Sequence, residues 1–287
     1  MNQKAFAIFV GALMILSGFA GYVFMGSNQN GIVVPTNTDS LQTFGVQGRL
    51  VDWNFDGLQD VMEMSPQSTV MAYWINLTPS KNLTDTARAV LPQSFGLSYG
   101  SQIYPNEIER LAEVYFNNSW MEFHWVRPFP AATSGLVVPY QNYMMIPLSS
   151  GSDYMKVMGK PALFGSQEAT RQVIDVITGS QPAGDFTLID DGEADLQVAA
   201  FGSGGANMPL SGGYREFYLG VSVPKDQASG FDLYAKYLQP TQSVNQRVSD
   251  IAGKNNLSYS MTGSDIELSG SVAQENLQNV LMGLLAP

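Results

Sequence analysis

The chain reads as an α+β protein, with an N-terminal transmembrane helix followed by an extracytoplasmic body of antiparallel sheets covered by helices. Three observations predict this class. Residues 5–25 form an uncharged apolar run long enough to cross a bilayer. The remainder alternates short apolar, β-branched and aromatic runs with stretches of helical period. Hydrophobic content of 45% with 11% aromatics suits a packed core and not a disordered stalk.

The first element is Ala5–Met25, AFAIFVGALMILSGFAGYVFM, whose polar groups are the hydroxyls of Ser17 and Tyr22. At about 1.5 Å per residue such a helix covers the roughly 30 Å hydrocarbon core of a bilayer. A cleaved signal peptide is the alternative, with Lys4 as its basic start and Gly18-Phe19-Ala20 as a small-x-small site. The run continues through Tyr22, Val23, Phe24 and Met25, past the point where a signal peptide ends, which favours a retained anchor. Lys4 precedes the run and no Lys or Arg follows until Arg49. The positive-inside rule then keeps the amino terminus in the cytoplasm and the body outside, at the cell membrane. The chain has no Cys, so neither a lipid-modified Cys anchor nor a disulfide is available.

The expected organisation is an anchor over residues 1–26, a Gly- and Pro-containing linker over 27–42, a first α+β domain over 43–158 and a second over 159–287. Net charge is −11, a sign that repels phosphates and excludes nucleic acid as an expected partner.

Within the body, Thr43–Val51 suggests an irregular strand and Thr69–Leu77 (TVMAYWINL) a buried one. Leu83–Val90 is a short helix candidate stopped by Pro92. Pro105–Phe116 is predicted as a helix from Pro105 at its start and Ile108, Leu111, Ala112 and Tyr115 at helical spacing. Trp120–Arg127 alternates as a strand, with Met121, Phe123 and Trp125 on one face and Trp120, Glu122, His124 and Val126 on the other. Short strands are expected at 136–138 and 143–146.

From Pro161 a strand leads into a helix over Gln167–Thr178, closed by Gly179. Strands are expected at Phe186–Asp190 and Leu196–Phe201 around an Asp191-Gly192 turn, and at Glu216–Val223. Phe231–Ile251 reads as helical with a break at Pro240, followed by strands at Leu257–Met261 and Ile266–Ser269 and a last helix over Val272–Leu285. This order suggests a ferredoxin-like second half. The run KPALFGSQEATRQVIDVITG, Lys160–Gly179, behind an N-terminal anchor, resembles archaeal, methanogen-type membrane-anchored extracytoplasmic proteins of unknown function. The resemblance implies the location only and carries no catalytic residue.

The strongest local pattern is Asp52–Glu63, which fits D-x-[DN]-x-[DN]-G-x5-E, the twelve-residue calcium loop. Asp52, Asn54 and Asp56 take positions 1, 3 and 5, Gly57 the turn, the Leu58 carbonyl position 7, Asp60 position 9 and Glu63 the bidentate position 12. Alternate oxygens on a tight loop suit a hard cation, so Ca²⁺ is the expected cofactor. No amphipathic helix precedes Asp52 and Pro66 truncates the exit. An Asp-capped turn, with Asp56 as N-cap, is the competing reading.

Other features are weaker. The acidic cluster Asp190, Asp191, Glu193 and Asp195 reads as a solvated hairpin tip. Gly202-Ser203-Gly204-Gly205 precedes Met208-Pro209 and no helix, so it is a loop. His124, the sole histidine, shares a strand face with Glu122, an acid–base pair in principle and a structural histidine by preference. Trp120, Phe123 and Trp125 are candidates for a ligand groove or interface, against a sheet core. Asn76, Asn82, Asn117 and Asn256 head Asn-x-Ser/Thr glycan-acceptor sequences.

No catalytic motif stands out, which points to a non-catalytic role. The first reading is an accessory or surface subunit that binds another membrane or envelope protein. The second is a binding module for a small solute or glycan, and the third a carboxylate-based envelope hydrolase.

Overall fold

A computed structural model describes residues 48–128, 137–149, 151–189, 194–202, 212–224 and 230–285. The expected anchor, the linker and most of Thr43–Val51 lie outside these residues, as do the Asp191-Gly192 turn and most of the second acidic cluster. No described helix is long and apolar enough to cross a membrane.

The chain builds a mixed α+β body on one large antiparallel sheet. Its strands are β2 (Thr69–Asn76), β3 (Glu107–Phe116), β4 (Ser119–Arg127), β5 (Val138–Tyr140), β6 (Tyr143–Pro147), β7 (Tyr154–Val157), β9 (Ala162–Ser166), β10 (Leu196–Phe201), β11 (Glu216–Ser222), β12 (Phe231–Leu238), β13 (Ser258–Thr262) and β14 (Asp265–Val272). Their order across the sheet is β13-β14-β12-β11-β10-β2-β3-β4-β9-β7-β6-β5. A separate parallel pair joins β1 (Val51–Asp52) to β8 (Gly159–Lys160). The helices are α1 (Leu58–Met64), α2 (Lys81–Val90), α3 (Phe95–Ile103), α4 (Gln167–Ile177), α5 (Gln242–Asn255) and α6 (Gln274–Leu285).

The period-2 alternation of the strands sorts the core into two layers. Met71, Tyr73 and Ile75 of β2, Leu196 and Val198 of β10, and Phe217 and Leu219 of β11 face one side, where Leu83 of α2, Val248 of α5 and Leu281 of α6 cover them. Ala72 and Trp74 of β2, Phe123 of β4 and Leu163 of β9 face the other, against Leu58 and Val61 of α1 and Val173 and Ile174 of α4. Ser80, Ser94, Ser166 and Thr241 cap α2, α3, α4 and α5, each accepting a hydrogen bond from a first-turn amide.

The structure corrects several expectations. Glu107–Phe116 is the strand β3 and not a helix. Its helix-favouring residues are overridden because β2 and β4 flank it and satisfy its backbone on both edges. Phe231–Leu238 is likewise a strand: Phe231, Leu233, Ala235 and Tyr237 are buried and Asp232, Tyr234 and Lys236 are not. That alternation has period 2, and the helix begins only at Gln242. Phe186–Ile189 forms no strand; Phe186 instead stacks on Phe201 with ring centroids 4.4 Å apart. Helix α3 was not expected, since its two glycines and Ser-Tyr-Gly segment lower helix propensity.

The second half does not assemble a ferredoxin-like sheet of its own. β9 pairs with β4 and β7, whereas β10 pairs with β2 and β11. The expected division between residues 158 and 159 falls between β7 and β9, neighbours in one sheet.

Candidate functional site

The Asp52–Glu63 segment and the Trp120–Arg127 strand meet at one place. An open cleft of about 660 Å³ is lined by residues 52–56 of the β1–α1 connection, Glu63 of α1, Arg110 of β3, and Trp125 and Arg127 of β4. The β1–β8 pairing, Val51 opposite Gly159, seats the start of this connection. A Cβ on Gly159 would lie 2.4 Å from Val51 Cβ, so only glycine allows that approach. Trp53 N–H then donates to the Lys160 carbonyl at 2.9 Å.

Along the connection Asp52, Asn54 and Asp56 are exposed and Phe55 is buried, and the chain bends at Asp56 and Gly57. Phe55 stacks on Trp125 at a centroid distance of 6.4 Å and meets Trp74 edge-on, also at 6.4 Å. Helix α1 begins after Gly57, which has no side chain to cap it. The buried Gln197 of β10 substitutes, accepting from Leu58 N–H at 3.0 Å. Asp56 is therefore not the N-cap; its own N–H donates to Asp60 Oδ2 at 2.6 Å.

Two of the expected calcium ligands, Asp56 and Glu63, are held by separate partners. Arg110 Nη1 reaches both Asp56 Oδ1 at 2.5 Å and the Phe55 carbonyl at 3.1 Å. Glu63 accepts from the Trp53 indole at 3.0 Å. Asp52 and Asn54 are exposed in the cleft lining. Among the described residues no group of three or more His, Cys, Asp or Glu side chains is placed to hold a metal ion. Arg110 also lies 5.5 Å from the centre of the half-buried Trp125 ring, within cation–π range. Arg127 pairs with Glu109 at 3.3 Å at the cleft margin.

The three aromatic candidates separate. Trp125 lines the cleft, and Phe123 is fully buried in the sheet core. Trp120 lies on the opposite face, stacked on Phe95 of α3 at 5.5 Å.

On that opposite face the His124–Glu122 pair does form, and both residues are fully buried. His124 Nε2 lies 2.7 Å from Glu122 Oε2. Glu122 also accepts the first amides of α3, from Phe95 at 2.6 Å and Gly96 at 2.7 Å. With Nε2 donating to this carboxylate, Nδ1 is the acceptor for the Tyr104 hydroxyl at 3.1 Å. Gly96 is required here, because a Cβ would come within 2.3 Å of Leu111 and 2.6 Å of His124 Nε2.

Glu113 stands opposite Glu122 in the β3–β4 register and accepts from the Tyr73 hydroxyl at 2.6 Å. Burial pushes its carboxyl up to about 8, the Glu122 charge adds to the rise, and hydrogen bonds from Tyr73 and Tyr115 oppose it. Burial likewise raises the Tyr73 and Tyr104 phenols, with the neighbouring carboxylates as the second cause. This network is sealed from solvent and acts on how α3 docks.

Of the glycan-acceptor candidates, Asn82, Asn117 and Asn256 are exposed, on α2, the β3–β4 turn and the C-cap of α5. Asn76 is half-buried, and its Oδ1 accepts both the amide and the hydroxyl of Thr78. Asp195, from the second acidic cluster, accepts from Val223 N–H at 2.9 Å. Sequence reasoning missed Trp53, Arg110 and Arg127 as cleft residues. Trp53 was visible inside the acidic segment, whereas Arg110 is 54 positions from the Asp56 it binds.

No protein-family model and no curated protein sequence matches the chain. Two crystal forms of TP0453 show a distant structural likeness. Form III gives a TM-score of 0.48 at 8% identity, covering 78% of this chain and 98% of that one. Form I gives 0.46 at 9% identity, covering 78% and 97%.

Proposed function

We propose that the protein is a membrane-tethered, non-catalytic binding module that takes a glycan or a small polyhydroxylated solute in the β1–α1 cleft, outside the cytoplasm. The cleft carries this reading. Two half-buried indoles, Trp53 and Trp125, stand beside the donors Arg110, Arg127 and Asn54 and the acceptors Asp52, Asp56 and Glu63. Sugar hydroxyls both donate and accept, and their C–H faces pack on aromatic rings, so a mixed lining of this kind suits them. The volume falls in the range of about 300–1,000 Å³ usual for small-ligand sites.

The tether and the outward orientation rest on Ala5–Met25 and the charge around it. The accessory-subunit reading rests on the anchor and on the lack of a catalytic motif; the lining of the cleft supports the solute reading. Hydrolysis ranks last, since no motif in the sequence singles out a carboxylate pair.

Titration of the full chain with neutral and acidic oligosaccharides, followed by tryptophan fluorescence, tests the proposal. A saturable change that Trp125→Ala removes is expected. Silence toward every saccharide, or unchanged binding by Trp125→Ala, would overturn it. A mature N-terminus near Gly21 by mass spectrometry would remove the tether.

A further inference from the structure

The two edges of the large sheet differ. β5 has three residues with Pro139 at its centre, which blocks strand addition. β13, Ser258-Tyr259-Ser260-Met261-Thr262, pairs with β14 on one side, and among the described residues no strand covers the other. Four of its five residues are exposed, and Met261 keeps 52% of its surface, one of three large hydrophobic residues so exposed among the described ones. The strand contains no charge, no Pro and no bulge, the features that ordinarily protect an edge.

We infer that β13 is an interaction surface whose partner is a second copy of this chain, paired antiparallel about a two-fold axis at Ser260. The strand is complementary to itself in that register. Ser258 falls opposite Thr262 and Ser260 opposite its own copy, which places small hydroxyls across from one another on the side without a helix. On the side of α5, Tyr259 falls opposite Met261, a sulfur–aromatic pairing that covers the exposed methionine twice. Charge agrees with the same arrangement. Lys254 in the last turn of α5 lies before the strand, and Asp265, paired with Thr262, lies after it. An antiparallel two-fold brings the basic end of one copy toward the acidic end of the other. In a chain of net charge −11, an edge without acidic residues is where two copies meet without repulsion. A closed two-fold consumes the β13 edge of each copy, and β5 carries Pro139, so the assembly ends at a dimer.

The chain has no Cys, so a single introduced thiol reports the pairing. At the two-fold, opposed Cα atoms lie about 4.5–5.5 Å apart, inside the disulfide range of about 4.4–6.8 Å. Full-length Ser260→Cys under mild oxidation is expected to run as a covalent dimer. Ser264→Cys, in the same hairpin but separated from its copy by roughly 25 Å at about 3.4 Å per residue, is expected to stay monomeric. Light scattering of the unmodified full chain in detergent gives an independent reading. A dimer mass is expected, and Met261→Lys is expected to convert it to a monomer with unchanged circular dichroism. A monomeric unmodified chain, equal crosslinking at positions 260 and 264, or a crosslink from position 260 to a different protein would each overturn the proposal.

Discussion

Glu113 and Glu122 face each other across β3 and β4 on the buried face of the sheet, and they are held differently. Glu122 receives two α3 amides and the His124 imidazole, whereas Glu113 receives phenolic hydroxyls and carries a raised pKa. Burial thus favours the protonated form of Glu113, while Glu122 fastens a helix.

This difference sets a pH dependence. A carboxyl raised from its ordinary range to about 8 holds a proton in the folded state that the unfolded chain has lost. The stability it contributes is full below the unfolded value near 4.3 and is lost progressively as pH rises to about 8, by up to about 1.4 kcal/mol per unit. Glu113→Gln should flatten this slope and melt higher than the unmodified chain at pH 8–9. Melting curves at pH 5, 7 and 9 check it, and parallel slopes for the two proteins would contradict it.

Removing the other acid should be costly at every pH. Glu122→Ala leaves the Phe95 and Gly96 amides and the His124 ring without their acceptor inside the protein. Loss of a buried, hydrogen-bonded charge of this kind costs about 3–5 kcal/mol. Helix α3 should loosen first, seen as hydrogen exchange at Phe95 and Gly96 and as a changed Trp120 environment. Gly96→Ala should act on the same helix by steric contact with Leu111 and His124.

The cleft ion pair should matter little for folding. Asp56 is 77% exposed beside Arg110, and exposed pairs contribute about 0–1 kcal/mol. Asp56→Asn should therefore leave the melting temperature within a degree or two, while Arg110→Ala, which also loses the Phe55 carbonyl and the Trp125 face, should lower it more. Denaturant unfolding of the two variants separates these effects.

Calcium gives a further check on the same loop. Asp56 would have to exchange Arg110 for the ion, and Glu63 would have to leave the Trp53 indole. Melting with Ca²⁺ or with a chelator should therefore coincide, and Asp52→Ala should be silent. A rise in melting temperature with Ca²⁺ would show that the loop does rearrange around the ion.

Much of the sheet was legible because its central strands are runs of apolar, β-branched and aromatic residues buried on both faces. Thr69–Leu77 reads as one such run, and Trp120–Arg127 alternates clearly enough to put His124 and Glu122 on one face, whereas the burial of Phe123, a groove candidate in the sequence, was decided by the sheet. β3 was not legible, since Ile108, Leu111, Ala112 and Tyr115 satisfy a helical period and only the flanking strands decide against it. In the acidic segment the sequence shows the oxygens and only the structure shows their partners. Its oxygens at alternate positions match a calcium loop, and Arg110 and Trp53, which bind Asp56 and Glu63, are invisible in that spacing.

Composition, charge and local periodicity thus specified an apolar N-terminal run, an α+β body and most strand and helix locations, because each depends on residues close in the chain. The cleft and the buried acid pair required the tertiary structure. Arg110 meets Asp56, Gln197 caps α1 and Glu122 caps α3 through contacts spanning 26 to 139 positions. Pairings at such distances are set by sheet order, and no local pattern encodes that order.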